Sequence, residues 1–187
     1  ETSAKEPYLV GEEIEVNIPA DMNLTPVAIA SYYDHAATGN IRIVKTDAID
    51  GSSLAGAVFE IRASGDIVRP DGSIAALDGE TVATVTTDET GEARADNLPL
   101  GSGTARYEVV ETQAPAGFLL DQTTHIADLT YADQKTPVVE ARLNVSDDYT
   151  KVDISKVDAS GEQEVEGARL TLYGPDKTEI DSWTSSD

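Results

Sequence analysis

The sequence contains no cysteine, and this absence limits the covalent and metal chemistry that the chain can perform. Without thiols the chain forms no disulfide, builds no cysteine-based zinc site and has no thiol nucleophile. The absence does not identify the cellular compartment. A secreted protein of this composition would need covalent or mechanical reinforcement from other side chains.

Basic residues and long apolar runs are also scarce. The chain carries 13 Lys and Arg against 35 Asp and Glu, which gives a net charge of −22. Such a polyanion repels nucleic acids and anionic membranes, so neither is expected as a direct partner. No apolar run approaches the roughly 18–20 residues that span a bilayer. The chain opens at Glu1 without an initiator Met, so we expect any signal peptide and anchor to lie outside it.

Sustained helical spacing is missing as well. Short segments instead alternate apolar and polar residues and are rich in Val, Ile, Tyr and Thr, as strands are. Asp-Gly and similar turn pairs separate them. The pattern predicts an all-β fold of the sandwich type. The predicted strands are 41–47, 57–63, 80–87, 105–112, 138–146 and 168–174.

An internal repeat organises the chain. ETSAKEPYLV at 1–10 matches ETQAPAGFLL at 111–120, and NIRIVKTDAIDGSSLAGA at 40–57 matches KVDISKVDASGEQEVEGA at 151–168. The two offsets are 110 and 111 residues, which is a normal domain size. We therefore predict a stretch of a tandem array. Its parts are the C-terminal part of a preceding module (1–38), a complete module (39–149) and the N-terminal part of a following module (150–187).

Three strands of the complete module carry a charged residue where a core residue belongs. Because side chains alternate along a strand, Lys45, Glu111 and Asp147 share their faces with the apolar residues two and four positions earlier. A single charge of this kind is most simply explained by a strand that leaves the core. Three such charges, with the Lys and the Glu recurring at module spacing, indicate one buried cluster.

A Lys, a Glu and an Asp in a dry site have two uses. One is a buried ion pair, which often stabilises a protein no better than apolar residues do. The other is chemistry, because desolvation favours a neutral, nucleophilic amine and a protonated, electrophilic carboxyl group. A second carboxyl group can then shuttle the proton. The product would be an amide between two side chains, formed with loss of water.

At these residues the sequence resembles the Cna protein B-type, or SpaA-like pilin, domains of Gram-positive cell-surface proteins. IRIVKTDAIDGSSLAGAVFEI (41–61), TGEARADNLPLG (90–101) and YEVVETQAPAGFLLD (107–121) carry the resemblance. It covers the whole of 39–149, with partial copies on either side. It implies a Greek-key, prealbumin- or immunoglobulin-like β-sandwich whose first and last strands are adjacent. It also implies a self-generated intramolecular isopeptide bond.

The resemblance implies a role for each charged residue. Lys45 would be the nucleophile, Glu111 the catalytic carboxyl group that promotes the reaction, and Asp147 the acceptor. Asn is the commoner acceptor in the family, and Asn144 is the alternative acceptor here, although alternation points it outward. In the partial modules, Glu1 and Asp34 match the family's Glu and acceptor, and Lys156 matches its Lys.

The function implied by this resemblance is structural: a stalk or spacer repeat of an extracellular, cell-wall-anchored adhesin or pilin, whose partners are the neighbouring modules. The alternative is a ligand-binding adhesin module in which an insertion at 64–80 contacts a host protein or glycan. An enzyme acting on external substrates is not expected, since His35 and His125 are isolated and predicted to be exposed, and no catalytic motif occurs. No cofactor or metal is expected, because the Asp-Gly pairs lack the calcium-loop pattern.

Overall fold

The computed structural model describes residues 1–16, 31, 33–150, 154, 156–161, 163, 165–174 and 177–186. Two compact units divide the chain, Glu1–Tyr149 and Thr150–Asp187. Within the described residues there are strands and turns, and no helix that could cross a membrane.

Among the described residues, the first unit contains nine strands and the second contains two. In the first unit they are β1 (Thr38–Asp47), β2 (Val58–Ala63), β3 (Ile67–Val68), β4 (Ile74–Ala76), β5 (Thr81–Thr86), β6 (Glu92–Pro99), β7 (Thr104–Gln113), β8 (Thr124–Thr130) and β9 (Val138–Asp147). In the second unit they are β10 (Arg169–Tyr173) and β11 (Glu179–Thr184), which pair antiparallel.

Two sheets form a sandwich in the first unit, as predicted. One sheet has the order β6-β1-β9 and the other the order β5-β2-β7-β8, while β3 and β4 form a separate hairpin. The first and last strands of the sandwich, β1 and β9, pair in parallel along their whole length, from Thr38 opposite Val138 to Asp47 opposite Asp147. Parallel neighbours cannot be joined by a tight turn. The chain that connects β1 to β9 therefore runs through the other strands of the sandwich.

The core lies between the sheets and explains the two-residue alternation of the strands. Ile41 and Ile43 of β1, Phe59 and Ile61 of β2, and Val109 of β7 are fully buried. Burying one such side chain stabilises the fold by about 1.5–3 kcal/mol. The same inward faces of β1, β7 and β9 continue into charged residues at the strand ends, and these form the site described below.

Three strands (β6, β8 and β11) and one hairpin were not predicted. The inner faces of β6 and β8 include Ala93, Ala95 and Ala127, and such small side chains give a weak alternating signal. The segment 64–80, expected only as an insertion, holds the hairpin β3–β4 and places Ile67 in the core. The insertion is therefore ordered structure built on the sandwich.

Candidate crosslinking site

Lys45, Glu111 and Asp147 meet between the two sheets, where β1, β7 and β9 end. Lys45 lies on β1 and Asp147 on the neighbouring strand β9, whereas Glu111 lies on β7 in the other sheet. The three residues are 0%, 3% and 2% exposed, respectively. The structure thus brings together, out of contact with water, residues from three strands that are distant in sequence.

The Lys45 ammonium group contacts both carboxylates. Its Nζ donates a hydrogen bond to Oδ1 of Asp147. The same nitrogen forms an ion pair with Oε1 of Glu111, at 2.9 Å. The ring of Phe59 forms an apolar wall, with its centroid 5.5 Å from Nζ. The aromatic face attracts the cation electrostatically and keeps water away from it.

The backbone of the β7–β8 connection fixes the other oxygen of Glu111. Oε2 accepts a hydrogen bond of 2.7 Å from the N–H of Asp121. The Asp121 side chain is itself held, since its Oδ1 accepts from the N–H of Thr123 at 2.8 Å and its Oδ2 lies 2.7 Å from Nε2 of His125. His125 is therefore only partly exposed, and the expectation of an exposed His125 was wrong, whereas His35 is exposed.

Burial sets the protonation of Glu111. Desolvation is the largest cause of a raised pKa of this carboxyl group, and the charge of Asp147 adds to it; Lys45 and the Asp121 amide lower the pKa, but the net shift is upward. A raised pKa favours the protonated acid. A carboxyl group that exchanges its proton readily in contact with an amine is suited to proton relay.

Asp47 is a fourth buried charged residue, and the sequence analysis missed it. It lies two positions after Lys45 on the same face of β1, is 2% exposed, and is the register partner of Asp147. Its Oδ1 accepts a hydrogen bond of 2.7 Å from the N–H of Ile49, whereas its Oδ2 is buried without a hydrogen bond. The alternation of β1 extends to Asp47 and could have indicated its inward direction. The signal is weak, because an Asp that precedes a turn more often has a role in forming the turn.

Gly91 fixes the backbone at Lys45. The Lys45 N–H donates to the Gly91 carbonyl oxygen at 2.8 Å. Gly91 has a φ of +74°, and a Cβ built on it would lie 2.5 Å from the carbonyl oxygen of Lys45. Glycine is required here for its backbone conformation and for this close approach.

The other predicted site residues lie outside the buried cluster. Asn144 is exposed on the outward face of β9. Glu1, Asp34 and Lys156 are exposed as well. Across the described residues, no group of three or more His, Asp or Glu side chains is placed to hold a metal ion.

This geometry permits condensation of the amine with the acceptor. From the neutral pair, Nζ of Lys45 attacks Cγ of Asp147, an N–C bond forms and a C–O bond breaks. The departing oxygen leaves as water with one proton from the carboxyl group and one from the amine. Glu111 touches the same nitrogen and is placed to relay that proton. Contact between the reacting groups supplies the high effective concentration that condensation requires.

The parallel pairing of the first and last strands, the two-sheet sandwich and the charged cluster between the sheets define a prealbumin-like domain. Residues 39–143 match the family model for the SpaA prealbumin-like fold domain. The match covers more than half of the chain, and the chain belongs to this family of pilin-type repeat domains.

Comparison with curated proteins gave no match. Among solved structures, the chain is similar to the Bacillus anthracis TIE protein, with 25% identity, a TM-score of 0.49, and coverage of 82% of this chain and 25% of that one. It is also similar to the group B streptococcus pilus 2b backbone protein (21% identity, TM-score 0.44, coverage 63% and 43%). A third is the shaft pilin SpaA from Lactobacillus rhamnosus GG (18% identity, TM-score 0.41, coverage 63% and 48%). The chain thus spans about a quarter to a half of the length of these proteins.

Proposed function

We propose that this chain is a structural stalk or spacer repeat of an extracellular, cell-wall-anchored adhesin or pilin. In this proposal a self-formed isopeptide bond between Lys45 and Asp147, promoted by Glu111, stabilises the complete module. The observation that carries the proposal is the contact of one buried amine with two buried carboxyl groups. Membership of the SpaA family supports the structural role at the cell surface.

The position of the proposed bond suits a protein under tension. Lys45 and Asp147 lie on β1 and β9, the strands through which force would enter and leave the module. Without a crosslink, force applied at these ends would peel the strands from the sandwich. With the amide in place, the load would pass through covalent bonds from one end strand to the other. Because Asp147 is buried and Asn144 is exposed on β9, we propose Asp147 as the acceptor.

We also propose that 1–38 is the end of a preceding module. In the complete module, Glu111 accepts a hydrogen bond from the N–H of Asp121 at 2.7 Å. Glu1 accepts one from the N–H of Gly11 at 3.2 Å, at the same spacing of ten residues. The repeated bond supports Glu1 as the equivalent of Glu111.

A second repeated contact supports the assignment of Asp34. The N–H of Leu9 donates to the carbonyl oxygen of His35 at 2.8 Å, and the N–H of Leu119 donates to that of Asp148 at 2.9 Å. Asp34 thus immediately precedes the residue whose carbonyl oxygen accepts this hydrogen bond. Asp147, the proposed acceptor of the isopeptide bond, has the same position relative to Asp148. Residues 17–30 and 32, which precede Asp34, lie outside the described residues.

The second unit gives similar support for 150–187 as the start of a following module. The N–H of Val165 donates to the Lys156 carbonyl oxygen at 2.7 Å, and that of Leu54 donates to the Lys45 carbonyl oxygen at 3.0 Å. Lys156 therefore has the local backbone contact of Lys45. Residues 151–153 and 155, which precede Lys156, lie outside the described residues.

Intact mass spectrometry tests the crosslink directly. We expect the protein to be lighter than its sequence by one water, and the Lys45→Met variant to have its full sequence mass. If Asn144 were the acceptor, ammonia would leave instead of water, so the mass also identifies the acceptor. An unshifted parent mass would refute the proposal.

Tryptic digestion gives the location of the bond. Trypsin does not cleave after a lysine whose amine is in an amide, so peptide 43–62 should remain joined to peptide 143–151. The second peptide contains both Asn144 and Asp147, and fragmentation of the joined pair separates the two acceptors. Recovery of a peptide that ends at Lys45 would show that this amine is free.

A further inference from the structure

We propose that two parts of the complete module form a clamp that holds the end of the preceding module in a fixed orientation. One part is the inserted hairpin (64–80), and the other is the β8–β9 loop (131–137). The docked segment is residues 1–10, followed in space by 33–38. This proposal rests on the tandem arrangement proposed above, and it assigns the insertion a partner within the same chain.

The inserted hairpin is an addition to a strand pair that closes without it. β10 and β11 pair in the same register as β2 and β5, with Arg169 opposite Thr184 where Val58 is opposite Thr86. The connection between β10 and β11 is only 174–178, and the N–H of its first residue donates to the carbonyl oxygen of its last. The longer connection is therefore not needed for the strand pair itself.

The inserted hairpin stands on a fixed base. Ile67 and Ala76 are 5% and 2% exposed and belong to the hydrophobic core. The N–H of Ser102 donates to the carbonyl oxygen of Val68 at 3.0 Å. A hairpin held in this way presents its tip at a defined place, which suits a structural contact.

The tip of the inserted hairpin reaches the docked segment. Nζ of Lys5 donates to the carbonyl oxygen of Pro70 at 3.4 Å. A cleft of about 220 Å³ has Pro7 and Tyr8 of the docked segment and Arg69 and Pro70 of the hairpin in its lining. The hairpin thus borders the docked segment along one side.

The β8–β9 loop provides a second set of contacts. Nε2 of Gln134 donates to the carbonyl oxygen of Ala4 at 2.7 Å, and the Gln134 carbonyl oxygen accepts from the N–H of Val10 at 3.1 Å. The hydroxyl of Tyr131 donates to the carbonyl oxygen of Tyr8 at 3.2 Å. These bonds reach backbone atoms of Ala4, Tyr8 and Val10 of the docked segment.

Apolar packing also joins the docked segment to the complete module. Leu9 packs against the core of the complete module, and Ala37 is 2% exposed within that core. At the start of β1, a Cβ on Gly39 would lie 2.4 Å from Cδ1 of Leu129, so the chain enters the sandwich in close contact. Neighbouring domains move relative to one another unless their interface is extensive. Contacts from two loops and an apolar floor oppose that motion here.

Because the chain has no cysteine, two introduced cysteines allow specific spin labelling. Tyr33→Cys labels the preceding module at a side chain that is 80% exposed, and Glu89→Cys labels an exposed turn of the complete module. Pulsed electron paramagnetic resonance then measures the distribution of distances between the labels. We expect one narrow peak in this doubly labelled protein.

Two variants remove the clamp in different ways. The first replaces 64–80 with the natural connection 174–178, and the second combines Lys5→Ala with Gln134→Ala. We expect each to lose the narrow peak and give a broad distribution. Gln122→Ala is the matched control, because it makes the same change at an exposed glutamine of another loop, and it should keep the narrow peak.

A broad distribution of label distances in the protein with an unmodified clamp would overturn the proposal. A narrow peak in the variant with the shortened connection, if that variant is folded, would also overturn it. If the shortened chain does not fold, the double variant decides in the same way, since it leaves the hairpin and the core intact. Intact masses of the same samples report the crosslink separately. A narrow peak without loss of water would refute the proposed isopeptide bond and leave the clamp standing.

Discussion

The substitution Glu111→Gln tests the proposed mechanism with the smallest change of shape. Gln keeps the length of the side chain, and its amide oxygen can still accept the hydrogen bond that Asp121 donates to Glu111 at 2.7 Å. It has no carboxyl proton to relay. We expect the bond between Lys45 and Asp147 to fail in this variant while the two residues remain in contact.

The length of the closed loop gives the size of the effect. Lys45 and Asp147 are 102 positions apart, and the chain-entropy model assigns about 4.7 kcal/mol to a crosslink that closes a loop of this size. A factor of ten in population corresponds to about 1.4 kcal/mol. The equilibrium population of the unfolded module should therefore be roughly a thousand times larger in the variant.

Hydrogen exchange of the amides of β1, the central strand of its sheet, followed by mass spectrometry, is the appropriate assay. We expect these amides to exchange through global opening of the sandwich, so their rates should rise by about three orders of magnitude. Fluorescence of Trp183 would report the second unit instead. Glu108→Gln is the matched control, because it makes the same charge change on the opposite, partly exposed face of β7. It should keep the loss of water and the slow exchange.

Two results would refute this reasoning. If Glu111→Gln still loses one water and exchanges slowly, the reaction does not need a carboxyl group at this position. If the variant keeps its full mass but exchanges as slowly as the parent, the bond forms in the parent without the stabilisation calculated from loop closure. The second result would leave the chemistry in place and remove the mechanical argument.

Three further predictions follow from the site. Asp147→Asn should give the same amide as the parent with ammonia as the leaving group, so intact masses of the two products should coincide. Gly91→Ala should lower the melting temperature, because the new Cβ would lie 2.5 Å from the Lys45 carbonyl oxygen. In Lys45→Met, Glu111 loses the cation that lowers its raised pKa. The folded state then holds a proton that the unfolded state has released, so stability measured by denaturation should fall as pH rises above the ordinary value of 4.5.

Each of these predictions has a matched control. Asn144→Ala should retain the loss of water, whereas a parent that loses ammonia and an Asn144→Ala variant that keeps its full mass would favour Asn144 as the acceptor. Gly72 has a similar positive φ, but no atom lies within 4 Å of a Cβ built on it, so Gly72→Ala measures backbone strain alone. An equal fall in melting temperature at both glycines would contradict the proposed clash. Adding Glu111→Gln to Lys45→Met should abolish the fall in stability above pH 4.5, and persistence of that fall would assign it to another group.

Alternation indicates which way a side chain points, and the three core-face charges could be found from it. The two-residue period runs without a break from Ile41 to Lys45 in β1 and up to Glu111 and Asp147 in β7 and β9. Each charge therefore inherits the inward direction of the apolar residues before it. Alternation does not indicate which strands are neighbours. The adjacency of β1 and β9 followed from the family resemblance, since no local pattern relates strands this far apart in sequence.

Backbone contacts account for much of what the sequence did not predict. The N–H of Asp121 holds Glu111, and Gln134 binds the carbonyl oxygen of Ala4. Almost every residue has an N–H and a carbonyl group, so such partners leave no mark in the amino-acid sequence. The ordered hairpin at 64–80 was missed for a related reason. Its strands contain two and three residues, too few for a periodic pattern.

Burial between the sheets changes the balance between an ion pair and an amide. In water, a Lys and an Asp side chain remain charged because water solvates both of them and its abundance favours hydrolysis of an amide. Lys45 and Asp147 lose that hydration, and a buried ion pair only partly recovers the free energy of desolvation. Forming the amide removes both charges and releases a water molecule from an apolar site. Folding would thus drive the reaction once in each module, and the same burial would afterwards protect the product from hydrolysis.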